Sequence, residues 1–313
     1  MKIVITGALG YIGSKLIQEI QKKIPRARLI LIDNLMTRNQ ASLSDLPGHV
    51  PYEFHKIDVL HDDLSPYFQD AQFAVHLAAA VDPQNYPTEN LSNHRMTQRV
   101  AEECLKNHTT LIFPSTTSVY GVSHPHLCES EDSNTVHPQT PYAHDKRISE
   151  LYFHGLAAEG LRFVIFRFAT IFGVSPGLRY QTAIGKFCQD AVMNHQIAVW
   201  SSALHQYRPY LDLEDAVQAI LFALTNQLDT GEIFNLASLH ATAKEVLDLI
   251  ACSASFETKL VPSPLMNNLS YQISCEKICR KGFVFRGNLE AGIRDTIDVL
   301  RYQESDLFNK NRV

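Results

Sequence analysis

Short apolar runs alternate with longer amphipathic stretches through the first half of this chain. The apolar runs read "KIVIT", "ARLILID", "YEFHKID", "QFAVHLAAA" and "TLIFPST", and stretches with helical spacing lie near 11–23, 91–106 and 141–159. Strands that alternate with helices in this way form parallel sheets covered by helices on both faces. The pattern therefore predicts an α/β protein built on a doubly wound parallel sheet.

The pattern changes from about residue 174, after a further apolar run, "RFVIFRFAT". Shorter mixed pieces with more prolines follow, with helical spacing near 181–194, 213–225, 242–252 and 289–302 and an apolar run "EIFNLA". We therefore predict a first domain over residues 1–173. Residues 174–313 would form mainly a smaller, interleaved α/β substrate-binding lobe, with some segments returning to the first domain. A cleft between two such lobes is the usual ligand site.

Composition excludes several classes of partner. The chain has 28 Lys and Arg against 33 Asp and Glu, a net charge of −5, so we expect neither nucleic acid nor an anionic membrane as a partner. No apolar run approaches the roughly 20 residues that span a bilayer, and we expect a cytoplasmic protein. The six cysteines form no Cys-x-x-Cys pair, which favours reduced thiols over a metal site.

Three glycines follow the first apolar run in "TGALGYIG", at Gly7, Gly10 and Gly13. They fall between a predicted strand and a predicted helix, which is the context in which such a motif binds a dinucleotide. Glycines let the backbone turn tightly and approach a pyrophosphate, and the helix N-terminus offers free N–H groups to the phosphates. The sequence therefore predicts a Rossmann-type dinucleotide site.

Acidic residues at the ends of the next two strands indicate which dinucleotide binds. Asp33 lies 20 residues after Gly13, where a carboxylate accepts hydrogen bonds from the adenosine ribose and repels a 2′-phosphate, so NAD is favoured over NADP. Arg38 is the nearby residue that would favour NADP instead. Asp58 ends the third strand and suits either a contact with the adenine amino group or a cap on the following turn.

A tyrosine and a lysine open the helix that follows "TLIFPST". Thr140 and Pro141 suit its N-cap and first turn, and Tyr142 and Lys146 are four residues apart, so both project from one face. A lysine ammonium about 5 Å from the phenol would lower the tyrosine pKa by about 2. Tyr142 could then act as a base near neutral pH.

These segments resemble the extended short-chain dehydrogenase/reductases, and among them the branch of nucleotide-sugar epimerases and dehydratases. The resemblance covers nearly the whole chain and rests on "TGALGYIG", "IDN", "HLAAAVD", "STTSVYG", "PYAHDK" and "FRFATIFG". It implies a catalytic set of Thr116, Tyr142 and Lys146, with NAD as cofactor. The cofactor contacts that it implies are Gly7, Gly10, Tyr11, Ile12, Gly13, Asp33, Asn34, Asp58, Val59, Leu77, Ala78, Ala79, Ala80, Asn93, Tyr142, Lys146 and Phe168.

The same resemblance implies a nucleotide-diphosphate sugar as substrate and a homodimer packed through the helices near 91–106 and 141–159. In "YRPYLDLEDAVQAI", Arg208 has the position of an arginine that grips the substrate diphosphate. Thr117 and Thr170 are further substrate candidates, although many members have asparagine at the position of Thr170. Arg179 is either a second phosphate or sugar contact or a solvated residue.

The residues beside Thr116 indicate the reaction. Dehydratases of this branch have an acidic residue directly after the catalytic threonine, whereas this chain has Thr117 and Ser118. Redox chemistry at a carbinol remains, and we expect a nucleotide-sugar 4-epimerase that works through a 4-keto sugar. The alternatives are a 4-dehydrogenase or 4-ketoreductase with the same residues, a 4,6-dehydratase, and a non-catalytic NAD-binding regulator.

Overall fold

A computed structural model describes residues 1–36, 42, 51–80, 92–121, 126–129, 136–178, 180–226, 228, 231–262 and 271–310 of the chain, with side chains of the last helix to residue 303. The described strands are β1 (Lys2–Thr6), β2 (Arg28–Asp33), β3 (Tyr52–Lys56), β4 (Phe73–His76), β5 (Thr110–Thr116), β6 (His126–Leu127), β7 (Phe163–Phe168), β8 (Thr170–Phe172), β9 (Ile197–Trp200), β10 (Arg208–Asp212), β11 (Ile233–Leu236), β12 (Leu239–Ala241), β13 (Thr258–Val261) and β14 (Gln272–Ile273). The described α-helices are α1 (Tyr11–Lys23), α2 (Ser65–Phe68), α3 (Ser92–Lys106), α4 (Pro141–Ala157), α5 (Ala183–Val192), α6 (Leu213–Asn226), α7 (Ala243–Ala251), α8 (Glu276–Arg280) and α9 (Leu289–Lys310).

Seven of these strands form one parallel sheet in the order β11-β7-β5-β4-β1-β2-β3. Its central strands are apolar and buried on both faces, as a sheet covered on both sides by helices requires. The predicted α/β, Rossmann-type doubly wound sheet is confirmed. The strand order reverses between β1 and β4, so the crevice at their carboxyl ends is the expected ligand position.

The run "RFVIFRFAT" forms one strand, β7, and its last residue, Thr170, begins a second strand, β8. Residues Phe163–Phe168 pair with β5 and β11 in the main sheet, whereas Thr170–Phe172 pair with β10 in a separate three-stranded sheet. The chain changes sheets at Ala169, whose amide still donates to the carbonyl of Leu236 at 2.9 Å. The end of the main sheet is therefore covalently next to the start of the smaller one.

The second half of the chain contributes to the main sheet and to the smaller sheets. Helices α5, α7 and α9 pack around their own apolar cluster with β9 and β10, while β11 returns to the edge of the main sheet. Helix α9 extends beyond the predicted 289–302, and α5 is shorter than the predicted 181–194. Among the described helices, none combines the length and the apolar character that crossing a bilayer requires.

Candidate functional site

Two glycines where β1 leads into α1 have no room for a side chain, Gly7 in the loop and Gly13 in the first turn of the helix. Gly7 has a φ of +66°, and a Cβ there would lie 2.6 Å from the amide nitrogen of Ala78. A Cβ on Gly13 would lie 2.5 Å from the carbonyl oxygen of Ala8. Gly7 therefore lets the loop approach the chain after β4, and Gly13 lets α1 pack close to the loop.

Helix α1 begins directly behind this loop, with Gly10 at its N-cap. A glycine has no side chain to occupy the first N–H groups of the helix, so those of Tyr11, Ile12 and Gly13 are available to an anion. The Tyr11 hydroxyl donates to the carbonyl of Gly173 at 2.6 Å, and burial raises the pKa of this tyrosine. Tyr11 therefore ties the helix to the segment that leads into the second half of the chain.

A second segment, around Gly177, packs against the glycine loop, and no sequence motif predicts it. A Cβ on Gly177 would lie 2.6 Å from the carbonyl oxygen of Gly10. The amide of Gly177 also donates to the Ser14 hydroxyl at 3.0 Å. The only sequence signal for this contact is the glycine itself, in a stretch with no second motif around it.

Asp33 ends β2 with its carboxylate turned toward the glycine loop. One oxygen accepts from the amide of Leu9 at 3.0 Å and the other from the amide of Leu35 at 2.8 Å, and the residue is buried. Leu35 has a φ of +62°, a conformation that a leucine rarely adopts. The carboxylate is therefore fixed in position, and its remaining lone pairs suffice for a ribose diol.

Asn34 and Asp58 lie together at the ends of β2 and β3. The Asn34 amide donates to the Asp58 carboxylate at 3.2 Å, while the other Asp58 oxygen accepts from the amide of Leu60 at 2.8 Å. The second contact is a cap on the following turn, which is one of the two roles that the sequence predicts for Asp58. Val59 is buried next to it, and its carbonyl accepts from Arg99 at 2.5 Å.

The chain after β4, residues Leu77, Ala78, Ala79 and Ala80, is half-buried beside the glycine loop. The side chain of Asn93 on α3 holds its end, because the amide oxygen accepts from the Ala80 amide and the amide nitrogen donates to the Ala80 carbonyl, both at 2.7 Å. Asn93 is buried. In this structure Asn93 shapes the wall of the crevice, which is a positioning role that the sequence did not distinguish from direct contact.

The residues of this crevice fit a dinucleotide. At Gly7 the glycine loop leaves a space that a Cβ would fill, and the N-terminus of α1 faces this loop. The buried carboxylate of Asp33 lies on the other side of the loop, at the end of β2. These are the requirements of a pyrophosphate and of an adenosine ribose.

Helix α4 positions the predicted tyrosine and lysine. Its N-cap is Thr140, whose hydroxyl accepts from the amide of Ala143 at 3.2 Å, and Pro141 follows, as the sequence predicts. Tyr142 is half-buried in the first turn and Lys146 is buried one turn later.

Thr116 lies at the carboxyl end of β5, opposite Phe168 of β7, which is also buried. Its hydroxyl accepts from the amide of Ser118 at 3.1 Å and so caps the 3₁₀ turn Thr117–Tyr120.

Lys146 is held against the end of β5. Its Nζ donates to the carbonyl of Pro114 at 2.8 Å and lies 4.2 Å from the centre of the Phe113 ring. Burial lowers the pKa of this lysine to about 8, while the carboxylates of Asp145 and Glu150 act in the opposite direction. The ammonium form is therefore held in place by hydrogen bonding and by two nearby negative charges.

A buried polar network that no sequence motif predicts lies behind these residues. Glu150 on α4 accepts from the Ser115 hydroxyl at 2.6 Å and forms a bidentate pair with Arg167 of β7, at 3.0 and 2.7 Å. Arg167 also donates to the Tyr120 hydroxyl at 3.0 Å, which donates to Asn235 at 2.8 Å. The only available signal was a charged residue in the middle of an apolar strand, "FVIFRF".

The predicted substrate residues lie on separate elements. Thr117 is buried in the turn after β5, Thr170 is exposed on β8, and Arg208 begins β10, which pairs with β8. Arg179 lies outside the described residues. The structure adds Tyr271, whose ring centre lies 5.3 Å from the Arg208 guanidinium carbon.

The sheet order and the glycine loop at its switch point are those of a Rossmann-type dinucleotide-binding protein. Within that class the chain belongs to the NAD dependent epimerase/dehydratase family, whose family model matches residues 3–237. This confirms the resemblance drawn from the motifs and the predicted NAD cofactor. The chain is an enzyme of this family.

Individual relatives cover most of the chain. The UDP-N-acetyl-alpha-D-glucosaminuronate decarboxylase of Bacillus cytotoxicus is 25% identical over 331 aligned positions, which cover 97% of this chain and 99% of that protein. Protein CapI of Staphylococcus aureus is 30% identical over 242 positions, 70% of this chain and 68% of that protein. The structure of UDP-glucuronic acid 4-epimerase from Bacillus cereus, with UDP-glucuronic acid and NAD, has a TM-score of 0.86 at 22% identity and covers 97% and 100% of the two chains.

Proposed function

We propose that this protein is an NAD-dependent nucleotide-sugar 4-epimerase, which oxidises C4 transiently to a ketone and reduces it again from the opposite face. The observation that carries the proposal is the residue pair after Thr116. Thr117 and Ser118 are hydroxyl residues, and Thr117 is buried in the turn after β5. Neither can serve as the acid and base that an elimination across C5 and C6 needs.

Three residues carry the proposed proton transfer. Tyr142 takes the proton of the sugar 4-hydroxyl and returns it, Thr116 hydrogen-bonds the same hydroxyl, and the Lys146 ammonium favours the tyrosinate form. NAD, when bound, supplies the complementary step by accepting the hydride from C4 and giving it back. Lys146 is held by Pro114 and Phe113 at the end of β5, so its charge is fixed relative to that strand.

The remaining residues would bind the two ligands. The glycine loop and the first turn of α1 would hold the cofactor diphosphate, Asp33 and Asn34 its adenosine ribose, and Lys146 its nicotinamide ribose. Arg208 would hold the substrate diphosphate, since a guanidinium binds phosphate oxygens in a bidentate manner. Thr117 and Thr170 would face the sugar.

A decarboxylase is a second candidate, and the relative that is aligned over 97% of this chain favours it. Oxidation at C4 of a sugar acid that carries a carboxyl group on C5 gives a β-keto acid, which loses carbon dioxide without a further catalytic group. The same Thr116, Tyr142 and Lys146 would therefore serve both reactions. The two outcomes differ in whether the ketone is reduced before or after the carboxyl group is lost.

Labelled substrates distinguish these reactions. The test is an NMR screen of UDP-, GDP-, CDP- and dTDP-sugars, including UDP-glucuronic acid, with a catalytic amount of NAD. We expect one of these sugars to be interconverted with its 4-epimer. Deuterium placed at C4 should remain in the sugar, and no deuterium should enter C5 from heavy water. Solvent deuterium at C5 of a 4-keto-6-deoxy product would refute the proposal. Loss of carbon dioxide from UDP-glucuronic acid would establish the decarboxylase. Release of a ketone together with a stoichiometric amount of NADH would establish the 4-dehydrogenase.

The tyrosine is tested by removing one oxygen atom. Tyr142→Phe should lower turnover by at least about 100-fold, as loss of a positioned base does, and should leave NAD binding within about twofold. Tyr152→Phe is the matched control, because this tyrosine lies on the same helix and its hydroxyl donates to Glu102 at the surface. Full activity in Tyr142→Phe would assign the base to another residue.

A further inference from the structure

His76 is a buried imidazole at the point where the strand order of the main sheet reverses. It ends β4 and lies opposite Thr6, which ends β1, in the pairing of these two parallel strands. Both residues are only 1% exposed. Beyond β1 the chain enters the glycine loop, and beyond β4 it forms the crevice wall, residues 77–80. A polar pair therefore lies where these two segments leave the sheet, at the switch point.

Both ring nitrogens of His76 have a hydroxyl partner. The Thr6 hydroxyl is hydrogen-bonded to Nδ1 at 2.7 Å, and the Thr97 hydroxyl of α3 is hydrogen-bonded to Nε2 at 3.1 Å. The Thr6 oxygen also accepts from the amide of Ala78 at 3.4 Å, and we therefore assign the Thr6 hydrogen to Nδ1. A neutral imidazole has one donor and one acceptor, which makes Nε2–H the donor to Thr97.

The ring of His76 is neutral in these surroundings. Burial, together with the smaller effect of the Lys146 charge, lowers the pKa of His76 to about 3. The ring is stacked on that of Phe113, with centroids 6.0 Å apart, and Nζ of Lys146 lies 4.2 Å from the centre of the same Phe113 ring. The imidazole can therefore accept from Thr6 and donate to Thr97 throughout the neutral pH range.

Helix α3 holds both ends of the segment 76–80. Thr97 bonds to the ring of His76 at its start, and Asn93 bonds to the amide and the carbonyl of Ala80 at its end. Asn93 and Thr97 are four residues apart and so lie on one face of the helix. The crevice wall is therefore fixed from the side of α3.

On its other side the same wall nearly touches the glycine loop. A Cβ on Gly7 would lie 2.6 Å from the amide nitrogen of Ala78. Thr6 is the residue directly before Gly7, so the position of Thr6 sets the distance between the loop and the wall. The hydroxyl of Thr6 bonds to both His76 and Ala78, which belong to the segment on the wall side.

We propose that His76 is a positioning residue for the cofactor, which sets the distance between the glycine loop and the chain after β4 by holding the Thr6 hydroxyl. This inference rests on the proposed function, because it takes the glycine loop as the site of the cofactor diphosphate. Loss of the bond to Thr6 should weaken NAD binding. Loss of the bond to Thr97 should lower the stability of the protein and leave NAD binding nearly unchanged.

Two amide substitutions remove these bonds separately. The side chain of asparagine reaches the position of Nδ1, so His76→Asn keeps the bond to Thr6, whereas the longer glutamine reaches Nε2, so His76→Gln keeps the bond to Thr97. Each variant loses one buried hydrogen bond, and the urea midpoints of the two NAD-free proteins should fall by similar amounts. In calorimetry, NAD should bind about tenfold more weakly to His76→Gln and within about twofold of normal to His76→Asn.

Substitutions of the threonines test the same link without changing the histidine. Thr6→Ser keeps the hydroxyl and should bind NAD within about twofold of normal, whereas Thr6→Val loses it and should bind NAD about tenfold more weakly. Thr97→Val is the matched control, because it removes the other hydroxyl from the same ring, and NAD binding should change less than about twofold. In a Thr6→Val background, His76→Gln should weaken NAD binding no further, since the ring acts through the Thr6 hydroxyl.

The outcomes separate a positioning role from a general loss of structure. Equal losses of NAD affinity in His76→Gln and His76→Asn, or unchanged NAD binding in Thr6→Val, would overturn the proposal. A loss in Thr97→Val as large as that in Thr6→Val would assign the effect to the packing of α3 and would also overturn it. If NAD binding follows the expected order in a protein that epimerises no nucleotide sugar, the proposed function is refuted and the role of His76 stands.

Discussion

Lys146 is expected to destabilise the folded protein, and its removal should make the protein more stable while abolishing activity. Its pKa is lowered from 10.5 to about 8 by burial. At about 1.4 kcal/mol per pH unit, this corresponds to about 3 kcal/mol of cost to the folded state at pH 7. Lys146→Met removes that cost, loses the hydrogen bond to Pro114 and the contact with Phe113, and should gain about 1–2 kcal/mol overall.

The pH dependence isolates the titration from those other losses. The unfolded lysine keeps its proton up to about pH 10.5, whereas the folded one loses it near pH 8. Between these values the unfolded state binds more protons, so the stability contributed by this residue rises with pH. From pH 7 to pH 9.5 the unmodified protein should gain about 2 kcal/mol relative to Lys146→Met.

Urea unfolding of the NAD-free proteins at pH 7 and pH 9.5 measures this difference. Lys186→Met is the control, because the Lys186 side chain is 61% exposed beside Asp190, and its removal should change stability by less than about 1 kcal/mol at either pH. A stability difference between the unmodified protein and Lys146→Met that does not change with pH would show that the buried amine is not the titrating group.

Three further outcomes are expected. Asp33→Ser should narrow the preference for NAD over NADP in calorimetry and also weaken NAD binding, because the carboxylate fixes the amides of two loop residues; equal affinities in the unmodified protein would contradict the assignment. Glu150→Gln should lower the free energy of unfolding by about 3–5 kcal/mol, since it leaves the Arg167 guanidinium buried without its carboxylate. The control, Glu276→Gln, breaks an exposed ion pair and should lower the free energy of unfolding by less than about 1 kcal/mol. Light scattering should show a homodimer, as family resemblance predicts for the faces of α3 and α4, and a monomer at all concentrations would exclude it.

The main sheet could be predicted because its strands are apolar on both faces and alternate with long helices. Helix α1 begins and ends at the residues that the pattern predicts, and α4 begins at the predicted N-cap, Thr140. The smaller sheets were not predicted, because their strands, such as β12 and β14, are two or three residues long. Strands that short have no period in the sequence, and their pairing depends on contacts between distant residues.

The same distinction holds within the site. The glycine loop and the pair formed by Tyr142 and Lys146 are local in sequence, so their spacing carries the information. Tyr271 could not be found in this way, because its ring meets the Arg208 guanidinium only after two distant segments have folded together. Asn93 was identified as a cofactor residue from the resemblance, but its hydrogen bonds to Ala80 are visible only in the structure.

The buried charges on α4 explain why so polar a helix face is packed against an apolar sheet. Asp145 and Glu150 are both fully buried, and both raise the pKa of Lys146 against the effect of burial. Glu150 is in turn oriented by its bidentate hydrogen bonds with Arg167 of β7. Without these two carboxylates the lysine would lose its proton at a still lower pH, so less of the charge proposed to favour the Tyr142 phenolate would be present at neutral pH. Arg167, in the middle of an apolar strand, thus orients one of the two carboxylates that raise the pKa of Lys146, the proposed partner of Tyr142, and its own burial is the structural cost of that arrangement.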